Sequence, residues 1–142
     1  MQGYWQQPEE TAEVLDSDGW LRTGDMACMD KDGHLRIVDR IKDLIIVSGF
    51  NVYPNEVEDI LVQHPLILEA GVVGEPDPSS GEIVVAHVVL RDPQRSLNLE
   101  ALRHFASKHL AAYKCPKKLY LVDSLPKSNL GKVLRRQLKP QA

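Results

Sequence analysis

The sequence predicts an α+β fold, in which a small mixed or antiparallel sheet of about three strands has flanking helices and is preceded by β-hairpins. Two short, nearly continuous apolar and β-branched runs, 67–73 and 83–90, are typical of buried strands. Apolar residues recur at helical spacing after Pro54 and again after Asn98. The sequence Asp-Lys-Asp-Gly at 30–33 separates two apolar stretches and indicates a tight turn.

Composition limits the classes of function. The chain has 142 residues, of which 43% are hydrophobic and 26% charged, so it can form one domain with a core or a smaller domain plus part of another. The net charge of −3 provides no global basic field for nucleic acid or an anionic membrane. Acids crowd 1–42, whereas 114–139 is strongly basic. That asymmetry fits a face for a polyanionic ligand, and it equally fits a solvated terminus.

Cysteine usage and hydropathy indicate the compartment. Cys28 and Cys115 show neither a disulfide framework nor the spacing of metal ligands, so no metal site is predicted. The chain does not start with a basic region followed by an apolar run, and no apolar stretch approaches the roughly 20 residues of a membrane span. We therefore expect a cytoplasmic protein without a membrane span. Peripheral association with a membrane remains open.

The first third of the chain is predicted to be a lead-in followed by a hairpin. Residues 1–18 are expected to be irregular or partly helical. Residues 20–29 and 34–39 are predicted strands. In the turn between them, Asp30 closes onto the backbone and Gly33 supplies a positive φ.

A second hairpin and a helix follow. The apolar run 44–47 predicts a strand, 48–51 a turn, and 51–53 a strand that pairs back. Pro54 suits the first position of a helix, which we expect to end near His64. The acids at the start of this helix are favourably placed for its dipole.

The rest of the chain is predicted as two buried strands, a helix and a last strand. The loop 74–81 is expected to separate the strands 67–73 and 83–90, and Asn98 or Ser96 to cap the helix.

Pro116 stops helical continuation, and 118–122 is the final predicted strand before the basic tail. The clearest domain is 43–142, whereas 1–42 is expected to be the edge of a different unit.

Gly24-Asp25 could hold a ribose. A carboxylate at a strand end, beside a glycine, can accept hydrogen bonds from both vicinal hydroxyls. Arg40 lies fifteen positions further on, and a tight hairpin would bring it to the same edge as Asp25. The alternatives are an aspartate that only closes a turn, and a surface ion pair worth about 0–1 kcal/mol.

Two further glycines could carry chemistry. In Ser48-Gly49-Phe50, glycine between larger neighbours lets a thin ligand run along the backbone, although a plain hairpin turn also uses glycine. In the tail, Lys132 follows Gly131, and a glycine turn could carry its charge onto a reacting phosphate or carboxylate. The alternative is a solvated basic terminus.

These motifs together resemble the C-terminal part of the AMP-forming acyl-CoA synthetases, in the superfamily of adenylate-forming enzymes. Arg22-Thr23-Gly24-Asp25, Asp39-Arg40-Ile41-Lys42-Asp43 and Gly131-Lys132 stand in the order and approximate spacing of that family. The resemblance covers essentially the whole chain.

The resemblance implies a two-step reaction. A carboxylic or fatty acid attacks ATP to give an acyl-adenylate and pyrophosphate, and the thiol of coenzyme A (CoA) then displaces AMP. Residues 1–42 would be the C-terminal edge of a large N-terminal AMP-binding domain, and 43–142 a mobile lid that rotates between the steps. That large domain is the implied protein partner, Mg²⁺ is expected outside this chain, and the isolated chain is expected to be inactive.

Individual roles follow from matching positions in that family. Asp25 would hold the ribose hydroxyls with help from Arg40, and Lys42 would be the hinge. Lys132 would reach the substrate carboxylate and the α-phosphate during adenylation. The segments Ser48-Gly49-Phe50 and Lys114-Cys115-Pro116 would line or contact the CoA path.

The chain also departs from the family. Lys42 stands where many relatives have aspartate, and Asn51 where many have a basic residue. The glycine-rich phosphate loop, the adenine pocket and the acyl tunnel are not present in this sequence, so the acyl chain is not specified.

Two alternatives stay open. One is a non-catalytic module that binds a partner or nucleic acid through the tail, although only Tyr113 and Tyr120 lie near it for base stacking. The other is the lid of an adenylation domain that loads a carrier protein, or of a luciferase-type oxygenase.

Overall fold

The computed structural model describes residues 1–138. Contacts between residues divide the chain into two compact units, Met1–Lys42 and Asp43–Ala142. Each is described by itself. Whether the first is the edge of a large domain and the second a lid stays a prediction.

The first unit holds a short helix and the predicted hairpin. Helix α1 spans Pro8–Val14, and strands β1 and β2 span Asp25–Met29 and Leu35–Arg40 in antiparallel pairing. Asp30 closes the turn as predicted, because its Oδ1 accepts hydrogen bonds from the backbone N–H groups of Asp32 and His34, each at 2.9 Å.

The prediction that β1 begins at residue 20 was wrong. Asp16 uses its Oδ1 to accept the backbone N–H of Trp20 at 2.9 Å, and Leu15 forms an isolated bridge with Leu21. The segment before Gly24 therefore belongs to a local turn rather than to the hairpin.

The second unit is built on a mixed sheet. Its described strands are β3 Ile45–Val47, β4 Phe50–Val52, β5 Ile67–Asp77, β6 Gly81–Leu90 and β7 Lys118–Leu121. These five strands follow the order β4-β3-β6-β5, and β7 is also paired to β6. The pairing of β6 with β7 is parallel and the other pairings are antiparallel. The α+β class and the mixed sheet are confirmed, whereas the expected number of about three strands was too low.

The predicted loop 74–81 is mostly strand. Strand β5 continues through Gly74 to Asp77, which pairs with Gly81 of β6. The carboxylate of Asp77 accepts bonds from the hydroxyl and N–H groups of Ser79 and Ser80, and these bonds lower the pKa of Asp77 to about 2. Cross-strand pairing thus overrides the turn signals of the glycine and proline in this segment.

Two helices cover one face of the sheet. Helix α2 spans Pro54–Leu61, three residues shorter than predicted, and α3 spans Leu99–Ala106. Of the two cap candidates it is Asn98 that caps α3, since its Oδ1 accepts the N–H of Ala101 at 2.8 Å. The main core lies between helices and sheet and includes the fully buried side chains of Ile45, Val52, Val57, Leu61, Val72, Val84, Val88 and Leu102.

The C-terminal tail crosses the other face of the sheet. Leu138 packs against a small cluster of Val73, Ile83 and Val85. A Cβ atom added to Gly71 of β5 would lie 2.7 Å from Leu138 and 3.3 Å from Val133. Glycine at this position therefore lets the tail pack directly on the strand. Among residues 1–138, no helix is long and apolar enough to cross a membrane.

Candidate functional site

Asp25 and Arg40 face each other across the open end of the β1–β2 hairpin. They are paired in register, and Arg40 Nε lies 3.3 Å from Asp25 Oδ1. The prediction that the hairpin brings the two side chains to one edge is confirmed. Gly24 adopts a φ of +73°, and its carbonyl accepts the N–H of Ile41 at 2.9 Å. The pair thus presents an acceptor and a forked donor together, and its role in ribose binding stays a prediction.

Lys42 is the last residue of the first unit and lies exposed in a 3₁₀ turn, Ile41–Asp43. Its position between the two units is where a hinge residue would be expected. Its role as a hinge stays a prediction.

The β3–β4 connection is a two-residue turn. Ser48 and Gly49 have φ values of +51° and +83°, as a type I′ turn requires at both central residues. The N–H of Ser48 donates to the carbonyl of Ser80 at 2.7 Å. A Cβ atom on Gly49 would meet no atom within 4 Å, so the backbone here borders open space. Gly49 therefore serves the hairpin, and a thin ligand could still approach it.

Phe50 and Lys114, predicted to act at the same ligand, lie on one surface. The ring of Phe50 stacks on Tyr113 with centroids 4.9 Å apart, and Lys114 Nζ is 5.9 Å from the centre of the Tyr113 ring. Lys114 Nζ also lies 2.7 Å from both carboxylate oxygens of Glu56. We call Phe50, Tyr113, Lys114 and Glu56 the aromatic ledge. Sequence reasoning missed Glu56 as a site residue, because its position favoured only a helix-dipole role.

Cys115 and Pro116 lie differently from Lys114. Both are buried, and burial raises the pKa of the Cys115 thiol above its usual range. Both residues present little surface to a ligand, and a contact of either one with CoA stays a prediction.

Lys132 stands just after a tight turn in a small tail hairpin. The N–H of Gly131 donates to the carbonyl of Ser128, and the N–H of Ser128 donates to the carbonyl of Lys132, each at 2.8 Å. Lys127 and Val133 form a bridge below this turn, and Gly131 has a φ of +77°. Lys132 is exposed. The described part of the tail is thus a small hairpin closed by the Lys127–Val133 bridge, followed by a 3₁₀ turn over Arg135–Gln137, rather than a featureless basic terminus.

Acidic groups that could hold a metal ion occur at the first hairpin. Among residues 1–138, one group of side chains is close enough together to hold a metal ion, and it consists of the exposed residues Asp30, Asp32 and His34. Asp30 already uses its carboxylate to close the turn, so these residues do not fit a site for Mg²⁺ with a nucleotide.

Comparison with known proteins gives one family. The model of the AMP-binding enzyme C-terminal domain matches residues 56–132. The chain is 55% identical to a long-chain-fatty-acid–CoA ligase of Salmonella typhimurium over 142 residues, which is 100% of the chain and 25% of that relative. It is 51% identical over 138 residues to one of Bacillus subtilis, covering 97% of the chain and 24% of the relative. The chain therefore spans about a quarter of the length of these curated relatives.

Solved structures show the same fold. The o-succinylbenzoate CoA synthetase MenE of Bacillus subtilis, in complex with its acyl-adenylate intermediate, gives a TM-score of 0.88 at 38% identity, covering 100% of this chain and 28% of that one. The amide bond synthetase McbA of Marinactinospora thermotolerans gives a TM-score of 0.85 at 45% identity, covering 97% of this chain and 28% of that one.

Proposed function

Because this chain belongs to the family of AMP-binding enzyme C-terminal domains, we propose that it is the C-terminal part of an AMP-forming fatty acid–CoA ligase. Residues 43–142 are the mobile lid, and 1–42 are the last part of the large AMP-binding domain. The observation that carries the proposal is the exposed Lys132 on its glycine turn, in a chain 55% identical to a long-chain-fatty-acid–CoA ligase.

The first step forms an acyl-adenylate. A carboxylate oxygen of the fatty acid attacks the α-phosphorus of ATP, a new P–O bond forms, and the bond to pyrophosphate breaks. Negative charge gathers on the oxygens around phosphorus, and a lysine ammonium placed there lowers the barrier. Lys132 supplies that ammonium, while Asp25 and Arg40 grip the ribose. The phosphates and Mg²⁺ are held by the part of the enzyme outside this chain.

The second step transfers the acyl group to CoA. The thiol sulfur attacks the acyl carbon and gives up its proton to solvent, and the C–S bond of the thioester forms. The bond between the acyl carbon and the phosphate oxygen breaks, and AMP leaves with its electron pair. Gly49 borders the path of the pantetheine arm, with Ser48 and the aromatic ledge beside it. Both named curated relatives are CoA ligases, which supports CoA as the acceptor, whereas McbA is an amide bond synthetase with the same fold.

The location that we propose is the cytoplasm, where the substrates ATP and CoA are available. Cys28 and Cys115 are both free thiols, which suits a reducing compartment.

A chimera tests the function. This chain replaces the matching quarter of the Salmonella typhimurium relative, and ATP–pyrophosphate exchange and thioester synthesis are measured with fatty acids of several lengths. We expect both activities from the chimera and none from the isolated chain, because half of the site is outside it. A chimera that unfolds as cooperatively as its parent yet makes no acyl-adenylate contradicts the proposal. Substantial activity of the isolated chain also contradicts it.

A further inference from the structure

Arg135 fastens the Lys132 hairpin to the body of the second unit. Its Nε and Nη2 atoms lie 3.0 and 2.6 Å from the two carboxylate oxygens of Glu58 on α2. Nη2 also donates to Asn55, and Nη1 lies 3.5 Å from Asp43. The Arg135 side chain is only 14% exposed. A bidentate arginine–carboxylate pair shielded from water fixes both position and orientation.

The carboxylate that receives Arg135 is itself fixed. Glu58 Oε1 accepts the backbone N–H of Val72 in β5 at 2.8 Å, and the Glu58 side chain is 15% exposed. Arg135 is therefore tied through one carboxylate to both helix α2 and the edge strand β5. Little freedom is left at the position from which the hairpin departs.

The connection from Arg135 to Lys132 is short and paired. Only Val133 and Leu134 separate the two residues. The N–H of Leu134 donates to the carbonyl of Pro126 at 2.8 Å, and Val133 is bridged to Lys127. A displacement at Arg135 is thus transmitted to the turn that carries Lys132.

Among the described residues, the other ion pair that attaches the hairpin is weaker. Lys127 pairs with Glu69 at 2.5 Å, but their side chains are 40% and 33% exposed, and such surface pairs contribute about 0–1 kcal/mol. Arg136, the neighbour of Arg135, is exposed and has no side-chain partner among residues 1–138. The two adjacent arginines therefore have different surroundings, although they are chemically identical.

We infer that Arg135 is a positioning residue, which acts through its pair with Glu58 to hold the Lys132 ammonium where adenylation needs it. The inference rests on the proposed function. In this role Arg135 acts through Lys132 and not on the substrate itself. Displacing a catalytic group by about 1 Å can cost on the order of 100-fold in rate, so loss of Arg135 should slow adenylation while Lys132 is still present.

The test uses the chimera with Arg135→Ala, Arg135→Lys and Glu58→Gln, and Arg136→Ala as the matched control. We expect Arg135→Ala to lower kcat for adenylation by about 10- to 100-fold, with little change in KM for ATP and little loss in thioester formation from supplied acyl-adenylate. Arg135→Lys keeps the positive charge but loses the forked guanidinium. Its kcat for adenylation should therefore lie between that of Arg135→Ala and that of the unmodified chimera. Arg136→Ala should stay within about twofold of the parent.

A double variant separates positioning from general damage. When Arg135→Ala is added to Lys132→Ala, we expect no further loss of adenylation, because the residue that Arg135 positions is already gone. The inference is overturned if the fold loss of adenylation in the double variant equals the product of the losses in the two single variants. It is also overturned if Arg135→Ala slows both half-reactions equally. If Arg135→Ala does not fold, the same comparison with Arg135→Lys and Glu58→Gln decides. An effect of Arg135 without any effect of Lys132→Ala would instead refute the proposed role of Lys132.

Discussion

Lys114 and Glu56 form a close ion pair between segments 58 residues apart, with Lys114 Nζ 2.7 Å from each oxygen of the Glu56 carboxylate. Lys114 is 18% exposed, and the pair holds it beside the stacked rings of Phe50 and Tyr113. The two segments predicted to contact CoA thus meet through the stacked rings of Phe50 and Tyr113. Glu56, which was not predicted to belong to the site, holds Lys114 beside these rings.

Loss of Lys114 should affect CoA and not ATP. In the chimera, we expect Lys114→Met to raise KM for CoA by about three- to tenfold, the effect of one hydrogen bond or ion pair at a partly exposed site. Adenylation should be unchanged. Steady-state kinetics with varied CoA provide the measurement, and Lys117→Met, a nearby exposed lysine, is the control. Equal changes for both lysines would mean that CoA binding does not depend on the ledge.

Gly49 offers a matched pair of variants. Gly49 and Gly33 have φ values of +83° and +84°, and a Cβ on either would meet no atom within 4 Å. Alanine at either position should therefore cost about 1–2 kcal/mol in the free energy of unfolding, for the same conformational reason. Only Gly49→Ala should also slow the thioester step, by tenfold or more, because only Gly49 borders the proposed pantetheine path. A similar effect of both variants on thioester formation would contradict this role.

Two measurements on Asp25 variants, KM for ATP and the free energy of unfolding, distinguish a ribose-binding role of the Asp25–Arg40 pair from that of a plain surface ion pair. If Asp25 accepts the ribose hydroxyls, Asp25→Asn should raise KM for ATP by roughly 10- to 100-fold, since charge-assisted hydrogen bonds are worth about 1.5–3 kcal/mol. Asp32→Asn, at an exposed aspartate of the same hairpin, should leave KM unchanged. If Asp25→Asn changes only the free energy of unfolding, by less than about 1 kcal/mol, and leaves KM for ATP unchanged, the pair is a surface ion pair without a role in ribose binding.

The pH dependence of stability should report His87. His87 lies opposite Gly71 in register, and its Nε2 is buried without a hydrogen-bond partner among the described residues. Its ring stacks on Tyr120, and Glu75, which pairs with Lys118 at 2.5 Å, is the nearby charge. Burial lowers the pKa of His87, and Glu75 opposes that shift.

The sign follows from this shift. Because the folded pKa lies below the unfolded one, the unfolded state binds the proton first, and stability falls as the pH drops below about 6.5. His87→Phe keeps a stacking ring that cannot titrate. The free energy of unfolding, measured with urea, should therefore fall less between about pH 7 and pH 5 for His87→Phe than for the protein that keeps His87. His64, whose pKa burial also lowers, is present in both proteins. Identical losses in the two proteins would contradict this account of His87.

Sequence patterns within a short segment predicted the structure of that segment. They failed where the structure depends on contacts between residues that are distant in the sequence. The Asp30–Gly33 turn and its hairpin were predictable, and with them the meeting of Asp25 and Arg40. The extension of β5 to Asp77 was not, because it depends on pairing with β6. The Arg135–Glu58 pair joins residues 77 positions apart, and nothing in a basic tail distinguishes Arg135 from Arg136 until the tail is seen packed on the sheet.

The central claim is that Lys132 acts in adenylation, and a comparison of the two half-reactions tests it most directly. In the chimera, Lys132→Ala should slow acyl-adenylate formation, followed by ATP–pyrophosphate exchange, by roughly 100- to 1000-fold, the cost of losing one preorganised charge at the transition state. Thioester formation from supplied acyl-adenylate should stay within a few-fold of the parent. Equal loss in both half-reactions, or no loss in the first, would contradict the account.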